Sequence, residues 1–480
     1  MLSYDSIELK LNNSIKHLLK KLQSNYLLYF VFLGFLYQVC ALYPGFINND
    51  GWSQYAQAKG WIPLGDWHPP LMTWVWYLQL KIFDSYKIFY AINIFVFWFA
   101  LYNIFRRISK GIVSGILAFI TGTLPFFMVE NGVVIKDIHL GIVILFIFSL
   151  LIGERQYFIK TIFIFILLVY CSFLRHNAVF LTAPLFVFVV FQWGVKSYLK
   201  YVYSLIVVLF VIAITPFVNH SLLKADDNKN ILSLVIFDLA GISYRTGEQL
   251  FPIEIPDDVA AHLFKDCYTP NFWDTFAPWS DKPLCKFYGP KIFLEDKPVN
   301  FFIRKWLEAI AEHPLAYVRH RLSAFDRFMN YTKHRPNTFV FYGDTPGFGA
   351  YPSADGYERY DRAIYRFSIK FVNENNIWFA PYFWFSILIG IFIVSYNTKT
   401  RLECLINATS FAGCMYLLGF LFVGVAYGFR YAFPVVTLCT GLIIALFIHK
   451  RVYGAGIGSV KCRISASLFV LLTLLFGWLF

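Results

Sequence analysis

Acidic, amide, imidazole and aromatic side chains crowd into one short stretch between two strongly apolar segments near the N-terminus. Six of its side chains are candidates for chemistry or binding: Asn49, Asp50, Gln54, Tyr55, Asp66 and His68. A carboxylate such as Asp50 can take a proton from a hydroxyl group, and an imidazole such as His68 can orient the reacting groups. The stretch therefore has the residue types for acid–base chemistry beside membrane-length apolar sequence.

Three further polar clusters interrupt apolar sequence later in the chain. They are Glu130 with Lys136 and Asp137, Arg175 with His176 and Asn177, and Arg430 with Tyr431. Ionisable residues at membrane depth are costly and usually mark a site. Glu130, at the edge of its cluster, is expected to be solvated.

The chemistry that such a set suggests is transfer of a group from an anionic lipid. Lys136, Arg175 and Arg430 could hold a phosphate leaving group, because arginine offers a bidentate fork and lysine a point charge. Asp50 could then act as general base on an acceptor hydroxyl, oriented by Asp137 or by the imidazole of the first stretch.

Each of these side chains also has a structural explanation. Asp66 could cap the following helix, and His68 could form a hydrogen bond at the membrane interface. The two arginines could be snorkelling anchors at helix ends, and Lys136 and Asp137 could form a local ion pair. The structural explanation is weakest for Asp50, because amides rather than a basic residue flank it.

The composition excludes a water-soluble globule. Hydrophobic residues make up 58% of the chain, charged residues only 15%, and the mean hydropathy is +0.56. These values are typical of a polytopic, all-α membrane protein. The net charge of +13 comes largely from short links between apolar runs, where basic residues orient helices, so no nucleic-acid partner is expected.

Apolar runs of membrane length predict eleven transmembrane helices. The first 24 residues are polar and basic, and the run after them lacks a cleavage site, so it is interpreted as a retained span. A cytoplasmic N-terminus places most basic links inside and all four polar clusters on the outer face. The predicted spans are 25–43, 87–105, 112–129, 138–152, 159–174, 178–193, 201–219, 377–395, 403–425, 432–448 and 464–480.

One apolar run is too short to cross the membrane. Leu71 to Phe83 would need to bridge a hydrocarbon core of ~30 Å at 1.5 Å per residue. The sequence therefore predicts a helix over 67–83 that lies in the outer interface, with Pro69 and Pro70 in its first turn. A short tilted span is the alternative.

The polar region between the seventh and eighth spans predicts an inserted domain on the outer face. The division is 1–219 for an N-terminal module of seven spans with outer loop 44–86, 220–376 for a mainly helical periplasmic domain, and 377–480 for the C-terminal spans. Within the domain, Val299 to Tyr331 is predicted to be helical with a break at His313–Pro314, and 343–349 to be a loop.

The cysteine pattern predicts one disulfide and no metal centre. Cys267 and Cys285 both fall in the inserted domain, and closing their eighteen-residue separation would contribute ~3 kcal/mol in the chain-entropy model. The other cysteines lie in or beside apolar spans as packing residues. The sequence has no CxxC, HExxH or GxxxxGK[ST] motif, so no cofactor or nucleotide is required, and a divalent cation is left open.

The chain resembles the GT-C membrane glycosyltransferases, which use sugars linked to polyprenyl phosphate. Within that class it looks most like bacterial enzymes that decorate O-antigen, such as serotype-converting glucosyltransferases, and more distantly like aminoarabinose and protein O-mannosyl transferases. The matching pieces are Asn49–Asp50 with Gln54–Tyr55, Asp66 to Leu71, Lys136–Asp137, Arg175 to Asn177 and Phe429 to Tyr431. They cover the first two hundred residues well and the C-terminal part thinly.

The resemblance implies an inverting transfer, with Asp50 near the acceptor and Asp137 supporting it. It implies a polyprenyl-phosphate sugar donor, a glycan or glycolipid acceptor, and a small flippase and a donor-lipid synthase as partners. The family's first loop often carries Asp-Glu, where this chain has the single acid of Asn49-Asp50-Gly51. Sugar and acceptor are therefore not transferable by analogy.

The sequence thus predicts a hexosyltransferase of the bacterial inner membrane, acting on its periplasmic face with glucose as the expected sugar. Two rivals remain open. A flippase or transporter of lipid-linked saccharides would use the same basic residues, but it predicts paired halves with broken spans, and no such symmetry is visible. A polysaccharide polymerase or ligase would use a lipid-pyrophosphate donor instead.

Overall fold

A computed structural model gives the architecture of most of the chain. It describes residues 25–153, 157–191, 198–291, 297–332, 370–372, 376–454 and 456–479. Within these ranges the chain forms helices and isolated β-bridges but no strand. The predicted loop 343–349 and the basic segment 1–24 lie outside the described residues.

The described helices are numbered here in chain order. Before the inserted domain they are α1 (Tyr26–Leu42), α2 (Asn49–Ala58), α3 (Pro70–Phe83), α4 (Tyr86–Phe105), α5 (Ile112–Gly122), α6 (Pro125–Glu130), α7 (Lys136–Leu151), α8 (Phe158–Ser172), α9 (Val179–Phe191) and α10 (Leu199–Pro216). The inserted domain contains α11 (Ile231–Thr246), α12 (Asp257–Cys267), a 3₁₀ turn (Trp273–Phe276), α13 (Pro283–Tyr288), α14 (Val299–Glu312) and α15 (Pro314–Met329). After it come α16 (Pro381–Val394), α17 (Arg401–Val423), α18 (Phe429–Tyr453) and α19 (Val460–Leu479).

The apolar helices make this a helical, membrane-embedded protein. Within the described ranges, four helices are long and apolar enough to cross a membrane: Tyr86–Phe105, Leu199–Leu222, Arg401–Val423 and Phe429–Tyr453. Shorter apolar helices accompany them. The helix from Leu199 is only 17% buried by the rest of the protein, as expected of a helix that faces lipid.

A helix overlaps every predicted span, but two spans are not continuous. The prediction 377–395 opens with a 3₁₀ turn, Ile377–Phe379, before α16 begins at Pro381. The prediction 112–129 is divided into α5 and α6, and α6 begins at Pro125. Proline disfavours a helical conformation in the preceding residue and cannot donate to the preceding turn, so the helix ends and restarts there.

Helix α7 occupies the centre of the bundle. It packs against α4, α8 and α18, and nearly all of its side chains are buried. A helix that is apolar on all sides fits either a protein core or a membrane, and the neighbours of α7 bury it on all sides. Because α7 begins with Lys136 and Asp137, its position brings these two charges to one end of the packed bundle.

Helix α3 is shorter than predicted. It begins at Pro70, with Pro69 as a cap that makes no side-chain hydrogen bond, so Trp67 and His68 precede the helix instead of opening it. Asp66 therefore does not cap it. With 14 residues, α3 is ~21 Å long at 1.5 Å per residue, which is less than the hydrocarbon core needs.

The inserted domain has an apolar core of its own, formed by α11 to α15. Helices α14 and α15 are separated at His313, where the His313–Pro314 break was predicted. The predicted disulfide is present between Cys267 and Cys285 and joins the end of α12 to α13. Both cysteines are buried in the domain core.

A buried charge network ties the inserted domain to the membrane helices. Asp238, fully buried, lies 2.6 Å from Arg321 Nη2 and 2.9 Å from His320 Nε2. Arg321 Nη1 donates to the Gly424 carbonyl oxygen at 2.7 Å. A buried carboxylate needs such partners. Through Arg321 the network also fixes Gly424, in the segment between α17 and α18 that directly precedes Arg430.

Candidate functional site

The N-terminus of α2 holds Asp50 in a defined place. The Asn48 side chain accepts a hydrogen bond from the Gly51 backbone N–H at 2.9 Å, which caps the helix. Asp50 lies in the first turn, where the partial positive charge of the helix N-terminus favours a carboxylate.

Two polar loops pair directly and fix α2 against the start of α7. The Phe46 N–H donates to the Gly132 carbonyl at 2.8 Å, and the Val134 N–H donates to the Phe46 carbonyl at 2.6 Å. Gly51 packs so closely on this pairing that a Cβ atom would lie 2.7 Å from the Val134 carbonyl oxygen. The position of Asp50 therefore depends on glycine at position 51, because any larger residue would push α2 away from the paired loops.

We expect Gly51→Ala to abolish most of the activity of the site while the protein still inserts into the membrane. The new methyl group meets backbone, which cannot move aside like a flexible side chain, so α2 and Asp50 must shift. Gly132→Ala is the matched control: it lies in the same paired loops, but its Cβ would meet nothing closer than 3.6 Å. Equal activity of the two variants in the transfer assay described below would contradict the close packing.

Asp50 forms an ion pair with Arg430 at the start of α18. Asp50 Oδ2 lies 2.9 Å from Arg430 Nη2, and the side chains are 29% and 11% exposed. Arg430 also donates to the Tyr431 hydroxyl at 2.9 Å. Burial would raise the pKa of Asp50, but the positive charges of Arg430, Lys136 and Arg175 outweigh it and hold the pKa well below its usual range. Asp50 is therefore ionised and surrounded by basic groups.

His68 and Lys136 form the second pair of the site. Lys136 Nζ is in hydrogen-bond contact with His68 Nδ1, and both side chains are buried. Burial and the neighbouring Lys136 lower the pKa of His68 to about 3. The imidazole is thus neutral at physiological pH and accepts from the lysine through Nδ1.

Asp137 and Arg175 form the third pair. Arg175 Nη1 contacts Asp137 Oδ1, and its Nε donates to Asn177 Oδ1 at 2.9 Å. The guanidinium also lies over the Tyr431 ring, 4.2 Å from its centroid. Lys136 and Asp137, considered above as a local ion pair, instead bond to different partners.

Tyr431 connects the two arginines of the site. Its ring centroid lies 4.2 Å from the guanidinium carbon of Arg175 and 4.7 Å from that of Arg430. Neither arginine extends outward as a membrane anchor, because their side chains are 14% and 11% exposed. Cation–π contact of this kind holds like charges side by side, which favours a site for an anion.

Four other predicted residues lie in the framework around these pairs. Asn49 is the first residue of α2, Gln54 Nε2 donates to the Pro69 carbonyl at 3.4 Å, and Tyr55 packs among aromatic rings. Asp66 turns toward the inserted domain, where its Oδ1 accepts from the Asn228 backbone N–H at 2.9 Å. A direct role of these four in substrate binding stays a prediction.

Asp66 also belongs to a group of three side chains that could bind a divalent cation, which the sequence left open. One ligand atom from each of Asp66, His220 and Asp227 lies within 4.8 Å of the others. Oxygen and imidazole ligands suit several divalent cations. Because groups of this kind are common without a metal, no step of the chemistry below is assigned to one.

Glu130 is buried, contrary to the expectation that it is solvated. Its side chain is 1% exposed, and neither carboxyl oxygen has a hydrogen-bond partner among the described residues. Burial raises the pKa of Glu130 to about 8, although the nearby Arg430 opposes the rise. Glu130 is therefore a neutral acid at pH 7, next to an ion pair of the site.

We expect Glu130→Gln to keep activity at pH 7 and to remove a pH transition near pH 8. Above that pH the wild-type carboxyl loses its proton, and its new charge competes with Asp50 for Arg430. Wild-type activity should therefore fall as the pH passes about 8, whereas the glutamine variant should remain active. Because the folded protein favours the neutral Glu130 carboxyl, the protonated group contributes its full share to the free energy of unfolding below its ordinary pKa of 4.5. That contribution is lost as the pH rises through about 8. Glu308→Gln, on the surface of α14, is the control, and identical pH profiles for both variants would contradict the assignment.

The inserted domain brings one further acid, Asp274, to the site, which was not predicted from the sequence. Asp274 lies in the 3₁₀ turn, partly exposed, and its Oδ1 accepts from the indole N–H of Trp279 at 2.9 Å. Burial raises the pKa of Asp274, the hydrogen bond from Trp279 opposes the rise, and the negative charge of Asp50 adds to it, so Asp274 lies within electrostatic reach of Asp50. The signal in the sequence was an acid between closely spaced tryptophans, Trp273 and Trp279.

The fold and the site together define a helical membrane protein with two ion pairs and a lysine–histidine pair at one end of its bundle and an inserted domain beside them. No family model, curated protein or solved structure matches this chain.

Proposed function

We propose that the protein is an inverting glycosyltransferase that moves a hexose, expected to be glucose, from a polyprenyl-phosphate carrier to a surface glycan or glycolipid such as O-antigen. The observation that carries the proposal is the grouping of Asp50 with Lys136, Arg175 and Arg430. The three basic side chains offer a binding site for phosphate, and the charge of a bound phosphate offsets their lowering of the Asp50 pKa, so that the carboxylate can accept a proton.

The proposed reaction breaks the bond between the sugar C1 and the phosphate oxygen. An acceptor hydroxyl attacks C1 from the opposite face, Asp50 takes the hydroxyl proton, and the phosphate leaves with the bonding electron pair. Arg175 and Lys136 neutralise the charge that develops on the phosphate. Asp137 positions Arg175, and Arg430 positions Asp50. The donor already contains the energy of transfer, so the proposal needs no nucleotide or other cofactor.

The proposal includes a topology. Eleven spans with a cytoplasmic N-terminus place the site on the periplasmic face of the bacterial inner membrane, since the basic links then lie inside. Helix α3, with Leu78, Ile82 and Phe83 exposed, fits a helix lying in the outer interface better than a span. Cysteine labelling that placed residues 46–66 in the cytoplasm would contradict this arrangement.

The rivals differ in what the charges do. A flippase needs them along a path between helices, whereas the three pairs described here cluster at one end of the bundle. A polymerase or ligase shares the basic groups, and only the donor would separate it. If hexose is transferred and the carrier is released as the polyprenyl monophosphate, the result favours a glycosyltransferase; release of the pyrophosphate favours a polymerase or ligase.

The test compares surface glycans of cells with and without the protein, by mass and linkage analysis, followed by transfer assays with purified protein. Loss of one hexose per repeat in the deletion strain, and transfer from a polyprenyl-phosphate hexose to isolated acceptor glycan in vitro, would support the proposal. Unchanged glycans together with protein-dependent movement of the carrier across vesicles would overturn it in favour of a flippase.

A further inference from the structure

Three tryptophans from two separate parts of the chain meet beside the site. Trp67 comes from the loop before α3, and Trp273 and Trp279 come from the inserted domain. The ring centroids of Trp67 lie 5.4 Å from those of Trp273 and 5.8 Å from those of Trp279, and the last two are 5.7 Å apart. Trp273 is buried, but Trp279 is 58% exposed, so the cluster has a packed base and an open aromatic surface.

The cluster is held next to the charged pairs by backbone hydrogen bonds. The Trp273 N–H donates to the Val425 carbonyl at 2.8 Å, and the Tyr427 N–H donates to the Asn271 carbonyl at 3.0 Å. The segment of Val425 and Tyr427, which accepts the first bond and donates the second, leads directly into α18 and Arg430. Trp67 is the immediate neighbour of His68 in the chain. The aromatic surface is therefore fixed to both sides of the site.

The open ring of Trp279 is paired with a carboxylate. Its indole N–H holds Asp274 Oδ1 at 2.9 Å, which fixes the orientation of the acid relative to the ring. Asp274 is only partly exposed, and its chain neighbour Trp273 bonds to the segment that leads into Arg430, which keeps the acid on the side of the charged pairs. A packing cluster alone would not need an exposed indole that orients an acid.

This combination matches the two-sided chemistry of a pyranose. One face of a pyranose presents C–H groups, which pack on an aromatic ring, and its edge presents hydroxyls, which bond strongly to a carboxylate. Ligand sites in proteins generally combine aromatic walls with a few placed polar groups. A lipid tail would use the ring but not the acid, and a phosphate would be repelled by the acid.

We propose that Trp279 and Asp274 form a binding subsite for a pyranose residue of the acceptor, with Trp67 and Trp273 supporting the ring from behind. The inference rests on the proposed function, because it assigns the acceptor of the same reaction to the inserted domain. It places the acceptor sugar between that domain and Asp50, so that a hydroxyl of the sugar reaches the base. The donor would lie on the opposite side, against Lys136 and Arg175.

The first test measures binding without any reaction. Saturation-transfer NMR with methyl glucoside, methyl galactoside and methyl rhamnoside reports contact between sugar protons and the full-length protein in detergent. We expect a signal from at least one sugar with the wild type, and a loss of affinity of about tenfold or more in Trp279→Ala and Asp274→Asn. Phe287→Ala removes a comparably exposed ring of the same domain, 59% exposed, and should bind as the wild type does.

The second test uses the transfer assay. Trp279→Ala and Asp274→Asn should raise the KM for the acceptor with little change in the KM for the donor, and Trp279→Phe should recover part of the loss, since it keeps a ring but not the N–H. No sugar signal with the wild type, or equal binding by Trp279→Ala and Phe287→Ala, would overturn the subsite. If the wild type binds sugar through Trp279 but transfers nothing, the proposed function fails while the subsite stands.

Discussion

Replacing Asp50 with asparagine should lower the rate of hexose transfer by about 10²- to 10⁴-fold, the usual contribution of a general base. Asparagine has nearly the same shape and can still bond to Arg430, which lies 2.9 Å from the carboxylate, but it cannot take the acceptor proton. The loss should appear in kcat more than in the KM for either substrate, because the interaction matters at the transition state. Transfer of labelled hexose by purified protein measures it.

The matched control for this variant is Asp84→Asn. Asp84 follows α3 at the surface, its side chain is 84% exposed, and it contacts only Lys59 among the ion pairs described. Asparagine also tolerates the positive φ of 28° that Asp84 adopts. Both variants should insert and purify alike. A fully active Asp50→Asn protein would remove Asp50 from the role of base and leave it as a counterion for Arg430.

The membrane fold could be predicted because its signal is local. Hydropathy within each apolar run determines whether a helix forms, and a helix overlaps every predicted span. The predicted helix boundaries were wrong where a single proline ends or begins a helix within an apolar run. Pro125 divides a predicted span, and Pro70, rather than Trp67, begins α3. Proline rules applied to each run would have found the first of these differences.

The pairing of charges could not be predicted in the same way. The predicted topology puts Asp50, Asp137, Arg175 and Arg430 on one side, but which acid meets which arginine depends on how distant helices pack. The sequence adjacency of Lys136 and Asp137 suggested a local pair, whereas the structure joins Lys136 to His68 and Asp137 to Arg175. Successive residues of a helix point in different directions, so adjacent charges rarely face each other.

Burial of Glu130 and the approach of Asp274 depended on contacts that sequence patterns do not report. Glu130 stands before Asn131 and Gly132, which is typical of a solvated turn, but Gly132 and Val134 bond to Phe46 and pair this loop with the one before α2. Asp274 comes near Asp50 because an isolated bridge joins Phe272 to Ala426. In both cases a few backbone hydrogen bonds between loops decide the composition of the site.

The Asp137–Arg175 pair allows structural and chemical roles to be separated. Asp137 is fully buried and Arg175 is 14% exposed by side chain, so Arg175→Gln leaves a buried carboxylate without its partner. Removing one member of a buried pair typically costs about 3–5 kcal/mol, and we expect a loss of that size in the free energy of unfolding in detergent. Asp137→Asn should also destabilise the protein, because Arg175 then keeps its charge among Lys136 and Arg430.

The double variant Asp137→Asn/Arg175→Gln should recover most of the stability, because a neutral amide pair replaces the ion pair without leaving a charge behind. It should nevertheless transfer hexose poorly, with a raised KM for the polyprenyl-phosphate donor, since the guanidinium that would neutralise the phosphate is missing. Stability recovered together with wild-type transfer would reduce Arg175 to a counterion of Asp137. A single Arg175→Gln variant as stable as the wild type would show instead that Asp137 does not need the pair, and that Arg175 is held in place by Asn177 and the Tyr431 ring.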